Sequence, residues 1–244
     1  MIATLAAVLI AVVAGLPSNC MGCSFAGRDL HGADLSGVAY LGASFARANL
    51  REANFRNADL SGASFHDADL RGADFSGAKL NGISLRGARL NGARFDGAKL
   101  AGIDLRGVLD ALDDTDLRSV LRYCIGCDAE GAVVAGRNLA AIDVVGSNFR
   151  GAKAGGTHFD GADLEGVDFR GADLQNAVFL NARLCTRQGD GRIGCANLRD
   201  AGVRGADFRG AQICEGYEPH RCGDLNAATL KQYAHSDLNG AVLP

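Results

Sequence analysis

The stretch SFHDADLRGADFSGAKLNG, residues 64–82, carries one bulky apolar residue at every fifth position. These residues are Phe65, Leu70, Phe75 and Leu80, and nearly all residues between them are small or polar. A period of five fits neither the 3.6-residue repeat of an α-helix nor the two-residue alternation of a β-strand. The pattern therefore excludes ordinary amphipathic elements and indicates a short repeating unit.

The five-residue spacing continues over much of the chain. Steps of five from Phe25 to Leu105 give seventeen consecutive units, and alanine usually stands two positions before the bulky centre. A second run starts at Ala129 or Val134 and reaches Leu184. Because one unit cannot bury its own apolar residues, such units are stable only when they stack on neighbours, as in solenoid proteins.

A longer period of twenty residues is superimposed on the period of five. Phe25, Phe45 and Phe65 are spaced by twenty, and so are Leu30 and Leu50. Twenty residues are four units, so each coil is predicted to have four sides with one unit on each. Equivalent side chains should then stack about 4.8 Å apart, the usual separation of neighbouring strands.

The units read as A-(D/N)-L-x-x and occur as ANL, ADL, ADF and ANF. They resemble the pentapeptide-repeat family over roughly residues 23–109 and 127–215. This resemblance implies an all-β fold, a right-handed quadrilateral β-helix solenoid. In the same units glycine takes the last place, where a chain that turns a corner needs its conformational freedom.

A different pattern separates the two runs. Between them, Leu112, Leu117, Val120 and Leu121 have helical spacing. Asp114 or Thr115 is a suitable N-cap. The sequence therefore predicts a short helix that interrupts the repeats, and leaves open two stacked solenoids or one solenoid with an inserted helix.

The predicted organisation has four parts. A signal peptide or N-terminal hydrophobic segment occupies residues 1–18, and the first solenoid segment occupies 19–109. The helical insertion spans 110–123, and the second solenoid segment, with two disulfide-closed loops, spans 124–244.

The N-terminal run MIATLAAVLIAVVAG is uncharged, apolar and about as long as the hydrophobic region of a signal peptide, although no basic residues precede it. Cleavage after Gly15 or Ser18 would give a periplasmic or secreted protein. The alternatives are a buried hydrophobic helix and an uncleaved segment that anchors the protein in a membrane.

The eight cysteines form four local pairs. A C-x-G-C motif precedes each run, and two further pairs flank insertions of nine and seven residues. The pairs are Cys20 with Cys23, Cys124 with Cys127, Cys185 with Cys195, and Cys214 with Cys222. Because a loop that leaves and re-enters a coil at one point brings its ends together, we expect disulfides in an oxidising compartment.

Two other chemistries could use these cysteines. Two C-x-x-C motifs can form a four-cysteine zinc site, but four coils of a continuous column would hold them about 20 Å apart. A redox dithiol needs a thiolate stabilised at a helix N-terminus, and neither motif precedes a clear helix.

No catalytic chemistry is predicted. No Ser, Cys or Asp stands in a nucleophile context beside the five histidines, and no glycine-rich phosphate loop is present. We therefore expect no enzyme activity, no catalytic, cofactor-binding or metal residues, no cofactor and no small-molecule substrate. Net charge is −3 with interleaved signs, which argues against nucleic acid as a partner.

Outward positions of the first run carry a candidate anion-contact surface. Arg51 and Arg71 form one column, and His66, Arg86 and Arg106 form another. The sequence favours an exported, non-enzymatic scaffold that contacts an unidentified protein or cell-envelope partner. A membrane enters this interpretation only if the N-terminal segment is uncleaved.

The family resemblance implies an alternative. Some members imitate DNA, bind type II topoisomerases in the cytoplasm and protect them from quinolones. Imitation requires acidic sides, whereas residues from Arg28 to Arg106 include eleven basic and nine acidic ones. An exported protein would also not meet the enzyme.

Overall fold

The computed structural model describes residues 16–187, 189, 192–215, 222–224, 226 and 241–243. Of the predicted N-terminal segment 1–18, only residues 16–18 belong to this set, so that prediction lies mainly outside the described residues. None of the described helices is long and apolar enough to cross a membrane.

The described chain is a repeat β-helix built from single parallel bridges. Most of these bridges join the residue before one centre to its equivalent twenty residues later, as in the series Ser24, Ser44 and Ser64, and the bridges that cross an insertion span more residues. The bulky centre Phe65 and the small residue Ala68 are both 0% exposed. Centres and small residues therefore face inward together, as the five-residue pattern predicts.

Backbone hydrogen bonds explain why the unit has five residues. The N–H of Leu30 donates to the carbonyl of Asn49 at 2.8 Å, and the N–H of Gly32 donates to that of Arg51 at 2.8 Å. The N–H of Ala33 donates back to Leu30 across the turn at 3.0 Å. Bonds between coils thus alternate with a tight turn that leads from one unit to the next.

The acidic or amide residue before each centre satisfies the remaining donor. Asp29 Oδ1 accepts from the N–H of His31 at 3.2 Å, and Asp34 Oδ1 accepts from the N–H of Ser36 at 3.1 Å. Such side-chain caps are typical of aspartate and asparagine in turns. Asp34 Oδ1 also accepts from Asn54 Nδ2 at 2.9 Å, which links one coil to the next.

Aromatic side chains stack along the axis inside the core. The rings of Phe45 and Phe65 are 5.0 Å apart and 3° from parallel, and those of Phe55 and Phe75 are 5.0 Å apart and 1° from parallel. Neighbouring stacks meet edge to face, as Phe55 and Phe65 do at 5.8 Å. Both arrangements are favourable for aromatic quadrupoles and leave little empty space.

The last residue of each unit turns the corner in the left-handed region. Gly82 has a φ of +67°, and a Cβ built on it would meet nothing within 4 Å. Asn57, Asn176 and Asn181 adopt the same conformation, with φ of +57° each. Backbone conformation, rather than space, therefore selects glycine at position 82.

We expect Gly82→Ala to lower the free energy of unfolding by about 1–2 kcal/mol, because alanine is strained at positive φ. Gly82→Asn should cost less, since asparagine tolerates this region. Chemical denaturation of both variants beside the wild type measures the difference. An alanine variant as stable as the wild type would contradict the conformational explanation.

A helical insertion interrupts the repeats but not the pairing between coils. Strand β1, Leu100–Ala101, pairs in parallel with β2, Cys124–Ile125. Between them lie a 3-10 turn, Leu109–Ala111, and helix α1, Asp114–Leu121. The parallel ladder therefore runs from one repeat segment directly into the next.

The cap of α1 and the start of the second run differ from the prediction. Asp113, rather than Asp114 or Thr115, caps the helix, because its side chain accepts from the N–H groups at positions 115 and 116, each at 2.9 Å. The second run starts at Cys124, which is 0% exposed in a centre position, rather than at Ala129. A cysteine there occupies the place of a bulky residue.

The two later insertions form hairpins. Strand β3, Arg183–Arg187, pairs antiparallel with β4, Ile193–Cys195. Strand β5, Gln212–Glu215, pairs antiparallel with β6, Cys222–Asp224. Because β3 and β5 also pair in parallel, the hairpins join into one sheet of order β4-β3-β5-β6.

Candidate functional site

The predicted anion-contact residues occupy corners of successive coils. Arg71 lies one coil after Arg51, and His66, Arg86 and Arg106 follow one another in the same way. Each stands directly after an inward centre, at a position that faces solvent. The repeat therefore sets these side chains in two columns with the spacing of the coils.

Two of the five predicted residues bind carboxylates of their own unit. Arg71 Nη2 lies 2.5 Å from Asp69 Oδ2, and Arg106 Nη2 lies 2.8 Å from Asp104 Oδ2. Hydrogen bonds from these guanidinium groups are the main cause that lowers the pKa of both aspartates. Part of the predicted positive surface is thus neutralised locally.

The other three differ in their partners. His66 Nε2 lies 3.2 Å from Asp67 Oδ2. For Arg51 and Arg86, no carboxylate oxygen of the described residues lies within 4.0 Å of the guanidinium nitrogens. Arg51 and Arg86 are therefore the members of the two columns with charge available for an anionic partner.

The lowered pKa of Asp104 predicts a loss of stability in acid. A carboxyl whose folded pKa is depressed stabilises the fold above its unfolded pKa of about 3.9 and loses this contribution as pH falls through the folded value. We expect Asp104→Asn to reduce the change in unfolding free energy between about pH 7 and pH 2, while retaining an acceptor for the Arg106 N–H, 3.2 Å away in the wild type. Denaturant titrations at both pH values test this. An unchanged pH dependence would contradict it.

Each C-x-G-C motif spans the tight turn between one repeat unit and the next. Cys20 and Cys23 stand at a centre and at the next small position, with Cα atoms 5.9 Å apart, and Cys124 and Cys127 do the same at 5.6 Å. These positions are the ends of a tight turn, whose Cα separation suits a disulfide. The glycine of the motif is the left-handed corner, with φ of +65° at Gly126.

A shared zinc site between the two motifs is incompatible with this arrangement. The parallel ladder leads from Cys20 to Cys124 through five steps between coils. Five steps correspond to about 24 Å, far beyond the span of four ligands around one zinc ion. Among the described residues, no group of three or more His, Cys, Asp and Glu side chains could hold a metal ion.

The remaining cysteines face one another in the two hairpins. Cys185 is opposite Cys195, and Cys214 is opposite Cys222, in antiparallel register. The side chains of Cys214 and Cys222 lie outside the described residues. Loop ends are thus brought together at the positions that the insertion lengths predict.

Ser147 supports the second C-x-G-C turn and was not identified from the sequence. It is fully buried, its Oγ donates to the carbonyl of Cys124 at 2.8 Å, and it accepts from the N–H of Cys127 at 2.9 Å. The available signal was a serine in a small inward position that alanine usually fills. Its hydroxyl bridges the two ends of this turn.

The sequence also gave no indication of a cleft of about 510 Å³ beside α1. Its walls come from residues 95–98, from residues 140–142 and from the helix. Arg118 and Arg122 lie on the helical wall. The cleft exists because the insertion brings together residues that no repeat period connects.

The repeat sequence matches a family model described as pentapeptide repeats, with eight copies over residues 41–77, 68–107 and 143–181. A comparison with curated protein sequences returned no match. The matched ranges cover much of both repeat runs.

Solved structures of repeat proteins are also similar. A pentapeptide repeat protein of the Arabidopsis thaliana thylakoid lumen is 36% identical, over 38% of this chain and 68% of that one, with a TM-score of 0.32. HetL, which is involved in heterocyst differentiation regulation in Nostoc sp. strain PCC 7120, is 24% identical over 82% and 90%, with a TM-score of 0.26. QnrB1, a plasmid-mediated fluoroquinolone resistance protein, is 22% identical over 93% and 82%, with a TM-score of 0.24. All three TM-scores are below 0.5, so the similarity between this chain and these proteins lies in the repeat sequence and not in the superposed structures.

Proposed function

This chain belongs to the pentapeptide-repeat family, and we propose that it is an exported, non-enzymatic scaffold that presents binding residues to a protein or envelope partner. Its core is a right-handed, four-sided solenoid. The observation that supports this function is the columnar placement of outward side chains on a filled core. A partner with regularly spaced charges would find matching groups without reorganisation of the scaffold.

The basic columns favour an anionic partner. Arg51 and Arg86 lie on adjacent corner columns and lack a carboxylate partner among the described residues. Surface charge of one sign attracts and orients a partner of the other sign. The columns are basic rather than acidic, so imitation of DNA has no support here and we do not propose topoisomerase binding.

Charge reversal tests the columns. Arg51→Glu/Arg86→Glu should elute from immobilised heparin, a sulfated polyanion, at lower salt than the wild type. Arg56→Glu/Arg209→Glu is the matched control, because it makes the same change in net charge at exposed corners on another side of the coils. Equal losses in both variants would attribute retention to net charge and overturn the assignment of the columns.

Export and disulfides form the second part of the proposal. The paired cysteines have Cα separations or facing registers compatible with disulfides, which persist in oxidising compartments. Intact mass of protein from fractions of its native host, with thiol alkylation under denaturing, non-reducing conditions, tests both points. We expect a chain shortened to begin near residue 16 or 19, outside the cytoplasm, with no alkylated cysteine. A full-length cytoplasmic chain with reactive thiols would overturn export.

A further inference from the structure

The cleft beside α1 lies where one side of a coil is replaced by the helix. Arg94 bridges to Asp74 in the preceding coil, and Asn138 bridges to His158 in the following coil, but no bridge to another described residue joins either of them to a layer between. Neighbouring layers are about 4.8 Å apart, so an omitted layer leaves about 10 Å. Helix α1 fills part of this interval, and the cleft is the remainder.

The upper wall of the cleft presents backbone donors. One coil earlier, the N–H groups of Phe75 and Gly77 donate to carbonyls of the next coil at 2.8 Å each. The equivalent N–H groups of Phe95 and Gly97, which line the cleft, have no acceptor among the described residues. Such groups are normally paired with protein or water, and these two are available to a ligand.

The lower wall presents backbone acceptors. One coil later, the carbonyls of His158 and Asp160 accept from N–H groups of the preceding coil at 2.8 and 2.9 Å. The equivalent carbonyls of Asn138 and Ala140 accept from no N–H group in the described part of the chain. Donors above and acceptors below match an extended peptide, whose backbone offers carbonyls and N–H groups in alternation.

The charge within the cleft is positive. Arg118 and Arg122 lie one helical turn apart on its wall, and no carboxylate of the described residues lies within 4.0 Å of their guanidinium nitrogens. The acidic residue of the lining, Asp96, already pairs with Arg94 at 3.2 Å. A ligand with carboxylate side chains would therefore complement this wall.

We propose that this cleft binds an acidic, extended peptide segment of a partner protein, which adds the missing strand between the two coils. The carboxylates of the segment contact Arg118 and Arg122, and its backbone pairs with residues 95 and 97 above and residues 138 and 140 below. The cleft is separate from the corner columns. A result that overturns peptide binding would therefore leave the proposed contact with a polyanion unaffected.

Two segments of this chain serve as matched probes. GADLEG, the sequence of residues 161–166, is acidic, whereas GAKLNG, the sequence of residues 77–82, has the same length and a similar repeat pattern without carboxylates. Both are used as N-acetylated amides and titrated into the full chain, with backbone amide signals followed by NMR. We expect the acidic peptide to shift the amide signals of Phe95 and Gly97 with an affinity at least about tenfold higher than that of the lysine peptide.

Variants of the helical wall identify the source of the preference. Arg118→Glu/Arg122→Glu should reduce affinity for the acidic peptide about tenfold or more, while Arg150→Glu/Arg204→Glu should leave it unchanged. No shift at Phe95 and Gly97 at about 5 mM of either peptide would overturn the site. Equal affinity for both peptides, or equal losses in both variants, would overturn the preference for an acidic segment.

Discussion

Phe65→Ala is expected to lower the free energy of unfolding by about 3–5 kcal/mol, the largest effect of any single substitution considered for this chain. Phe65 is fully buried, its ring stacks on Phe45 at 5.0 Å, and it meets Phe55 and Phe75 edge to face at 5.8 Å each. Removing it would open a cavity where three aromatic neighbours converge. Rigid stacked coils cannot collapse readily into that space, so relaxation around the cavity should recover little of the lost free energy of unfolding.

Two controls separate cavity formation from general sensitivity. Phe65→Leu should cost less than Phe65→Ala, because leucine occupies the equivalent centre of many other units and leaves a smaller void. Arg86→Ala, at an exposed corner, should change stability by no more than about 0.5 kcal/mol. Denaturant unfolding gives the overall effect, and hydrogen exchange shows whether it is confined to nearby coils. Similar losses for leucine and alanine would contradict the cavity explanation.

Cys185→Ala/Cys195→Ala is expected to lower the free energy of unfolding by about 2–3 kcal/mol under non-reducing conditions. The two residues face one another at the base of the β3–β4 hairpin, at a sequence separation of 10. A disulfide at this place restricts the unfolded chain and removes the entropy of closing the loop. The Cys124 and Cys127 pair closes a shorter loop, with a separation of 3, and its removal should cost less.

Reduction provides the control for this prediction. Excess reductant should lower the stability of the wild type as well. When both proteins are measured in reductant, most of the difference in unfolding free energy between the wild type and the double alanine variant should vanish. A wild type that is equally stable with and without reductant, and no more stable than the variant, would show that the hairpin does not depend on a disulfide. Free-thiol counts on the unfolded protein accompany each measurement.

Most of the repeat fold could be predicted from the sequence because its contacts recur at constant spacing. The stacking of Phe45 on Phe65 and the inward position of Ala68 follow from periods of twenty and five. The positions of Cys20 and Cys23 could likewise be related, because they stand at the centre of one unit and at the first position of the next. The same local geometry recurs in every unit, so the contacts of one unit predict those of the others.

The misplaced features all lie where the period breaks. Cys124 was not recognised as a centre because cysteine is not bulky. Asp113 was not recognised as the cap because three aspartates, Asp113, Asp114 and Asp116, lie close together and their backbone geometry decides among them. The pairing of β3 with β5 joins two insertions of different length, and no periodic signal relates them.

Periodicity alone predicts the repeat pattern of this chain, its inward residues and its outward columns. The passage of the ladder through the insertion and the cleft beside α1 appear only in the folded chain. The same is true of the ion pairs of Arg71 and Arg106, which Arg51 and Arg86 lack among the described residues. Periodic contacts are predictable because they are repeated many times along the chain. Contacts across an insertion occur once, and depend on where the chain returns to the core.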